Sequence, residues 1–108
     1  MRVFGPQPAV VHLRHPSAAQ LLARRVEISA GAMATSSPCF TERRWRGRVV
    51  SHLVHPRAGA AVTGAIAVTV RAAECWLADA LTKVVLNAPE AVEALLARHG
   101  AEAFVLSA

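Results

Sequence analysis

Aromatic side chains are few, 5% of 108 residues, so the core has to be packed from small and β-branched groups. Ala and Val supply most of the 54% hydrophobic content. Cysteine is nearly absent. Cys39 and Cys75 stand far apart and form no C-x-x-C pair, which excludes a thiolate metal knuckle of that kind and leaves two buried thiols or one disulfide. No run approaches the roughly 18 apolar residues of a membrane-spanning helix. The opening MRVFGPQPAVVHLRHP has neither the apolar core nor the small-residue cleavage site of a signal peptide. Acids are scarce, 7 against 12 basic residues, for a net charge of +5. Lysine is almost missing too: Lys83 stands alone among arginines, a bias that reads as genomic composition as much as selected basicity. A chain of this length makes one domain with a modest core.

Gly5, Pro6 and Pro8 make residues 1–16 an irregular entry with one short strand, Ala9 to Leu13, stopped by His15-Pro16. Ser17 is placed to cap a helix over Ala18 to Arg25, which runs straight into Val26-Glu27-Ile28. Gly31 to Ser37 is rich in small residues and reads as a turn or the start of a short helix, where backbone approaches a ligand closely. Phe40 to Arg48, FTERRWRGR, is polar and basic around Gly47, as in a hairpin connection. Val49 to Val54 reads as a strand, His55-Pro56-Arg57-Ala58-Gly59 as its turn, and Ala60 to Gly64 as further loop.

The chain is organised around Ile66 to Leu86, IAVTVRAAECWLADALTKVVL. Ile66, Val68 and Val70 fall on one face of a strand, and Ala67, Thr69 and Arg71 on the other. From Leu77 the period changes: Leu77, Leu81, Val84, Val85 and Ala88 make one helical stripe. Asp79 is placed in the first turn of that helix, where free N–H groups favour a carboxylate. Pro89 and Glu90 open a second helix with Val92, Leu95, Leu96 and His99 on its apolar face, and Gly100 ends it. Ala103 to Leu106 closes the chain as a strand. Strands, two consecutive helices and a final strand describe an α+β fold with a mostly antiparallel sheet.

The segment VTVRAAECWLADALTKVVL resembles the C-terminal signature of the FAD:protein FMN transferases (the ApbE, or thiamine-biosynthesis lipoprotein, family), roughly S-V-T-V, a short turn, A-D-A-L and an apolar helix. Ser51 to Gly59, SHLVHPRAG, is similar to that family's H-I-[IV]-D-P-[RK]-[ST]-G. Ala34-Thr35-Ser36 is similar to its A-T-S-G. The three blocks stand in the family's order and cover most of the chain. The resemblance implies the C-terminal part of an ApbE-like (T-fold-like) domain, with residues 1–108 a single partial domain. The family's N-terminal portion, and the signal peptide of exported members, would lie upstream. Family members are often periplasmic or membrane-anchored in bacteria; this chain leaves its compartment undetermined.

The implied reaction is Mg²⁺-dependent cleavage of the FAD pyrophosphate, with transfer of FMN to a Thr or Ser of a target flavoprotein and release of AMP. FAD and that flavoprotein are then the partners. By the resemblance Asp79 holds the metal together with a Thr one turn later. That i+4 position is Lys83 here, while Thr82 lies at i+3, so either Thr82 is the second metal ligand or Lys83 supplies positive charge to phosphate. His52 matches the family's histidine beside the flavin phosphates and is the expected catalytic residue, as proton acceptor or as phosphate-stabilising cation. Thr35 and Ser36 are expected to contact the cofactor through hydroxyls and backbone N–H groups. The chain departs from the pattern at His55, where the family has Asp, and at Ser37, Ala58 and Lys83.

Plainer readings stand beside each of these. Asp79 can serve the helix start alone, His52 a structural hydrogen bond, and Thr35-Ser36 an ordinary turn. HLRHP and HLVHP repeat a His-x-x-His-Pro pattern, but i and i+3 of a strand face opposite ways, so neither pair chelates a metal by itself. Chance or similar turn chemistry accounts for the repetition. Arg43-Arg44-Trp45-Arg46-Gly47-Arg48 invites a nucleic-acid reading, yet no further motif supports it, and a solvated hairpin without nucleic acid is expected. With the departures from the family pattern and the family's N-terminal portion absent, the isolated chain is expected to be an incomplete, inactive transferase. The rival reading is a catalytically silent flavin-binding or interaction remnant of the same fold. Either way an isolated piece of the family fold is expected to self-associate or to need its missing N-terminal half.

Overall fold

The computed structural model describes residues 1–108. Its framework is a four-stranded antiparallel sheet in the order β1 (Arg2–Val3), β4 (Gly31–Ser36), β7 (Ile66–Ala72), β8 (Glu102–Ser107). Two hairpins lie outside it: β2 (Ala9–His15) with β3 (Ala18–Ile28), and β5 (Arg43–Trp45) with β6 (Arg48–Val50). The helices α1 (Cys75–Asn87) and α2 (Pro89–Arg98) connect β7 to β8.

Alternation along β7 divides the molecule. Val68, Val70 and Ala72 pack against Ala78 and Leu81 of α1, with Leu95 and Leu96 of α2 completing that layer. On the opposite face Met33 of β4 and Phe104 of β8 pack against Leu13, Val26 and Ile28 of the β2–β3 hairpin. The sheet is therefore the middle of three layers. The face assignment read from β7, Val68 and Val70 against Thr69, corresponds to this division. α+β architecture, two consecutive helices and a closing strand are all as expected.

Four local expectations need correction. Ala18 to Arg25 is strand, not helix: it pairs with β2 from Ala18 opposite His15 onward, and cross-strand pairing overrides the helical propensity of Ala, Gln and Leu. Ser17 sits in the connecting turn, its N–H bonded to His15 Nδ1 at 3.2 Å, and caps nothing. Gly31 to Ser36 is also strand, β4, and its small residues serve packing: Ala34 lies under the helix layer. The strand expected from Val49 to Val54 stops at Val50 and returns only as a bridge between Val54 and Ala61. Ser51 interrupts it: its hydroxyl reaches the Val62 carbonyl at 2.6 Å and accepts the Leu53 N–H at 3.2 Å, a local alternative to the ladder.

The fourth correction concerns Asp79. Helix α1 begins at Cys75, and its first i→i−4 bond runs from the Ala78 N–H to the Glu74 carbonyl at 3.0 Å. Asp79 thus lies in the second turn, beyond the free N–H groups. The apolar stripe hid this start, since Trp76 is 70% exposed and adds nothing to the buried face. The rest of the helix pair is as expected, with Pro89 opening α2 and Gly100 following its C-cap at φ +57°.

Candidate functional site

Between the sheet and the β2–β3 hairpin lies a cavity of about 380 Å³, toward the lower end of small-molecule sites. Its polar lining comes from His12 and Arg14 of β2, Thr35 of β4, Thr69 of β7, and Ser37 and His52 from the connections. No carboxylate lines it, so a bound anion meets cationic or neutral donors only. The structure brings together Thr35 and His52, two of the residues singled out in the sequence.

The orientation of His52 is set by Thr41. Thr41 Oγ1 lies 3.0 Å from the Pro38 carbonyl and 2.6 Å from His52 Nδ1. A hydroxyl has one proton. With that proton on Pro38, the Thr41 oxygen accepts from His52 Nδ1–H and Nε2 is the acceptor; with it on the shorter contact to His52, Nδ1 accepts and Nε2 carries the ring proton. In either arrangement the Thr41 contact fixes the ring plane, as a partner on one ring nitrogen does in metal and catalytic sites.

The two His-x-x-His-Pro segments share one design. The first histidine of each, His12 and His52, lines the cavity. The second organises the turn at its proline: His15 Nδ1 accepts the Ser17 N–H, and His55 Nδ1 accepts the N–H groups of Arg57 (3.3 Å) and Ala58 (3.2 Å). His55 thus supports its loop from the position where the family pattern has Asp. His12, Arg14 and Thr41 are the site residues that sequence reasoning missed. For His12 the repeated pentapeptide was the available signal; for Thr41 there was none.

Adjacent residues of β4 part company. Thr35 faces the cavity and shares a 2.7 Å hydrogen bond with Thr69 across the β4–β7 pair. Ser36 faces the helices and bonds Thr82 Oγ1 at 2.6 Å, with both residues buried. Thr82 in turn donates to the Asp79 carbonyl at 2.7 Å, so Ser36 is the donor of the pair.

Asp79 and Lys83 lie on the solvent side of α1, paired carboxylate to ammonium, with side chains 62% and 41% exposed. Beside them Lys83, Val84, Asn87 and Ala88 form a cleft with Val54 and Pro56 of the Ser51–Gly59 block. Asn87 Nδ2 donates to the Lys83 carbonyl at 2.9 Å, while its Oδ1 is buried without a partner. The Mg²⁺ implied by the resemblance does not fit this donor set. A hard dication takes several oxygen ligands, but Thr82 turns its hydroxyl inward and Asp79 offers one carboxylate already paired with an ammonium. Nowhere in the chain do three His, Cys, Asp or Glu side chains converge.

Arg43 to Arg48 forms the exposed hairpin expected. Arg46 (φ +48°) and Gly47 (φ +75°) occupy its two turn positions, the paired positive φ of a type I′ connection. The Arg46 guanidinium stacks on Trp45 at 4.6 Å, and the ring stays 58% exposed. Cys39 and Cys75 are free thiols; Cys39 lies 2.8 Å from Ser37 Oγ.

Among solved structures, the chain is similar to the ApbE protein from Thermotoga maritima, with a TM-score of 0.74 at 21% identity. The alignment covers 96% of this chain and 36% of that one, so the chain spans about a third of its length. That likeness shows the fold. None of the curated proteins compared with the chain matches it. The model of the ApbE family matches residues 1–105, nearly the entire chain, and on that match the protein belongs to the ApbE family.

Proposed function

We propose that this chain carries the flavin-phosphate part of an FAD:protein FMN transferase site. The hydroxyl of a Ser or Thr on a target flavoprotein attacks the FMN phosphorus of FAD. A new P–O ester forms, the bridging P–O bond breaks, and AMP leaves. The hydroxyl proton passes to His52 Nε2, in the tautomer that carries the ring proton on Nδ1. Family membership supports a flavin-transferase-like role, and the observation that carries the assignment of His52 is its hydrogen bond through Thr41 to Pro38. A positioned general base of this kind contributes about 10²–10⁴-fold.

The other groups on the cavity wall have electrostatic work. Arg14 neutralises phosphate charge, His12 offers a ring N–H to a phosphate oxygen, and Ser37, Thr35 and Thr69 line the same cavity with hydroxyl side chains. Ser36 and Thr82 tie β4 to α1 and do not reach the cavity. Lys83 is the remaining anion-binding group on the helix side, next to the Ser51–Gly59 loop.

FAD fluorescence titration on the chain and on His52→Ala tests the reading, followed by mass spectrometry of a target flavoprotein for an FMN adduct. Expected are FAD binding by the chain and a loss of transfer of at least about 100-fold in the variant. Failure of the chain to bind FAD under any condition would leave the rival reading, a silent module of the same fold.

A further inference from the structure

We propose that the ammonium of Lys83 stands in for a divalent cation at Asp79, so that this end of the site carries its counter-charge covalently and takes up no Mg²⁺. The inference rests on the flavin-transfer reading only for the identity of the anion, the phosphates of FAD. The metal half stands on the side chains alone.

Lys83 is one helical turn after Asp79 and pairs with its carboxylate. Residues i and i+4 of a helix share a face, so the ammonium occupies the position from which a second oxygen ligand would reach the ion. Against the Thr that the resemblance implies at i+4, Lys83 offers no oxygen donor and adds a positive charge. A dication about 4 Å from an ammonium is disfavoured roughly 30-fold even at the dielectric of bulk water. Thr82 does not restore the lost ligand, because it is fully buried and its hydroxyl is engaged by Ser36 and the Asp79 carbonyl. An ammonium has three donors. One meets Asp79, and the side chain is still 41% exposed, beside the cleft it forms with Val54 and Pro56. The pair therefore retains free donors for a phosphate oxygen. Lys83 is also the one lysine of the chain, and its compact, strongly hydrated charge resembles a metal ion more closely than a guanidinium does.

Mn²⁺ serves as the probe, with free ion followed by electron paramagnetic resonance, on the full chain and on Lys83→Thr, Lys83→Met, Asp79→Ala and the Asp79→Ala/Lys83→Thr double variant. These are exposed helix positions, and circular dichroism checks that each variant folds. The chain itself is expected to show no Asp79-dependent uptake up to about 1 mM. Lys83→Thr should bind at least about 30-fold more tightly, Lys83→Met should fall between, and the double variant should lose the gain. Uptake by the unmodified chain that disappears in Asp79→Ala would overturn the proposal, as would a Lys83→Thr variant no better than the parent. FAD titration in EDTA adds the functional arm: binding by the parent should be insensitive to the chelator, whereas Lys83→Thr should bind more weakly and recover with Mg²⁺. If no variant binds FAD, the flavin reading falls while the Mn²⁺ result still decides the role of Lys83.

Discussion

Thr82 makes two hydrogen bonds with one hydroxyl, and both of them hold structure. Its proton goes to the Asp79 carbonyl, and its oxygen receives the proton of Ser36 on the neighbouring strand. Thr82→Val keeps the shape and strands the Ser36 hydroxyl in the interior, a loss of about 1–3 kcal/mol. That is a fall in Tm of roughly 4–8 °C for each kcal/mol in a domain of this size. Adding Ser36→Ala removes the stranded group and should recover part of the loss, so a double-mutant cycle by thermal melts should show positive coupling. A strictly additive pair would mean that the two hydroxyls do not meet. From the sequence, both residues read as ligand contacts. Motif spacing reveals that two hydroxyls lie near one another but not which face of a strand each occupies, and that face separates Thr35 in the cavity from Ser36 in the interior.

Gly31 shows the same limit on what a sequence reveals. Its small side chain was read as leaving room for a ligand, whereas the space is taken by the chain itself. At φ +106°, a Cβ on Gly31 would sit 2.8 Å from the Ala72 carbonyl oxygen. Gly31→Ala therefore incurs both backbone strain, about 1–3 kcal/mol, and a clash with β7 backbone. Gly47→Ala has the strain without the clash, since nothing lies within 4 Å of the added methyl. Parallel melts should show the Gly31 variant clearly less stable than the Gly47 variant; equal losses would refute the close approach of β4 to β7.

At the scale of elements, local periodicity specifies the second half of the chain. β7, α1, α2 and β8 have strong periodicity and clear boundaries at Pro89 and Gly100, and the structure has them in that order. β3 and β4 were misread because their sequences are locally neutral, and only pairing with β2 and β7 makes them strands. The cavity depends on that pairing. Phe104 anchors the hairpin layer, 5% exposed among Leu13, Val26, Ile28 and Met33, with the Arg24 guanidinium over its ring at 4.7 Å. Phe104→Ala should lose about 3–5 kcal/mol and loosen the β2–β3 hairpin over the His12 and His52 side of the sheet. Arg24→Ala should lose no more than about 1 kcal/mol, the value of an exposed cation–π contact. Hydrogen exchange separates local from global effects: faster exchange in β2 and β3 of the Arg24 variant, with α1 and α2 unchanged, is the expected pattern.

The whole molecule is extended, 50 × 32 × 19 Å with a radius of gyration of 14.5 Å, against about 13 Å for a compact domain of roughly 100 residues. Large apolar groups stand in solvent at its periphery: Phe4 (76% exposed), Trp76 (70%), Leu22 (60%) and Leu21 (57%). β8 adds an open edge, six residues long with Glu102 as its single charge. An unprotected edge of this kind is a template for another strand, and the exposed apolar groups elsewhere on the molecule are of the sort that mark contact surfaces. The chain spans about a third of the length of the Thermotoga maritima ApbE protein. Alone in solution it is therefore expected to self-associate through β8. Light scattering coupled to size exclusion should show mass rising with concentration, and Val105→Lys, which places a charge on the edge strand at a residue 53% exposed, should shift the population toward monomer. A monodisperse monomer at every concentration would show that the exposed edge does not drive assembly.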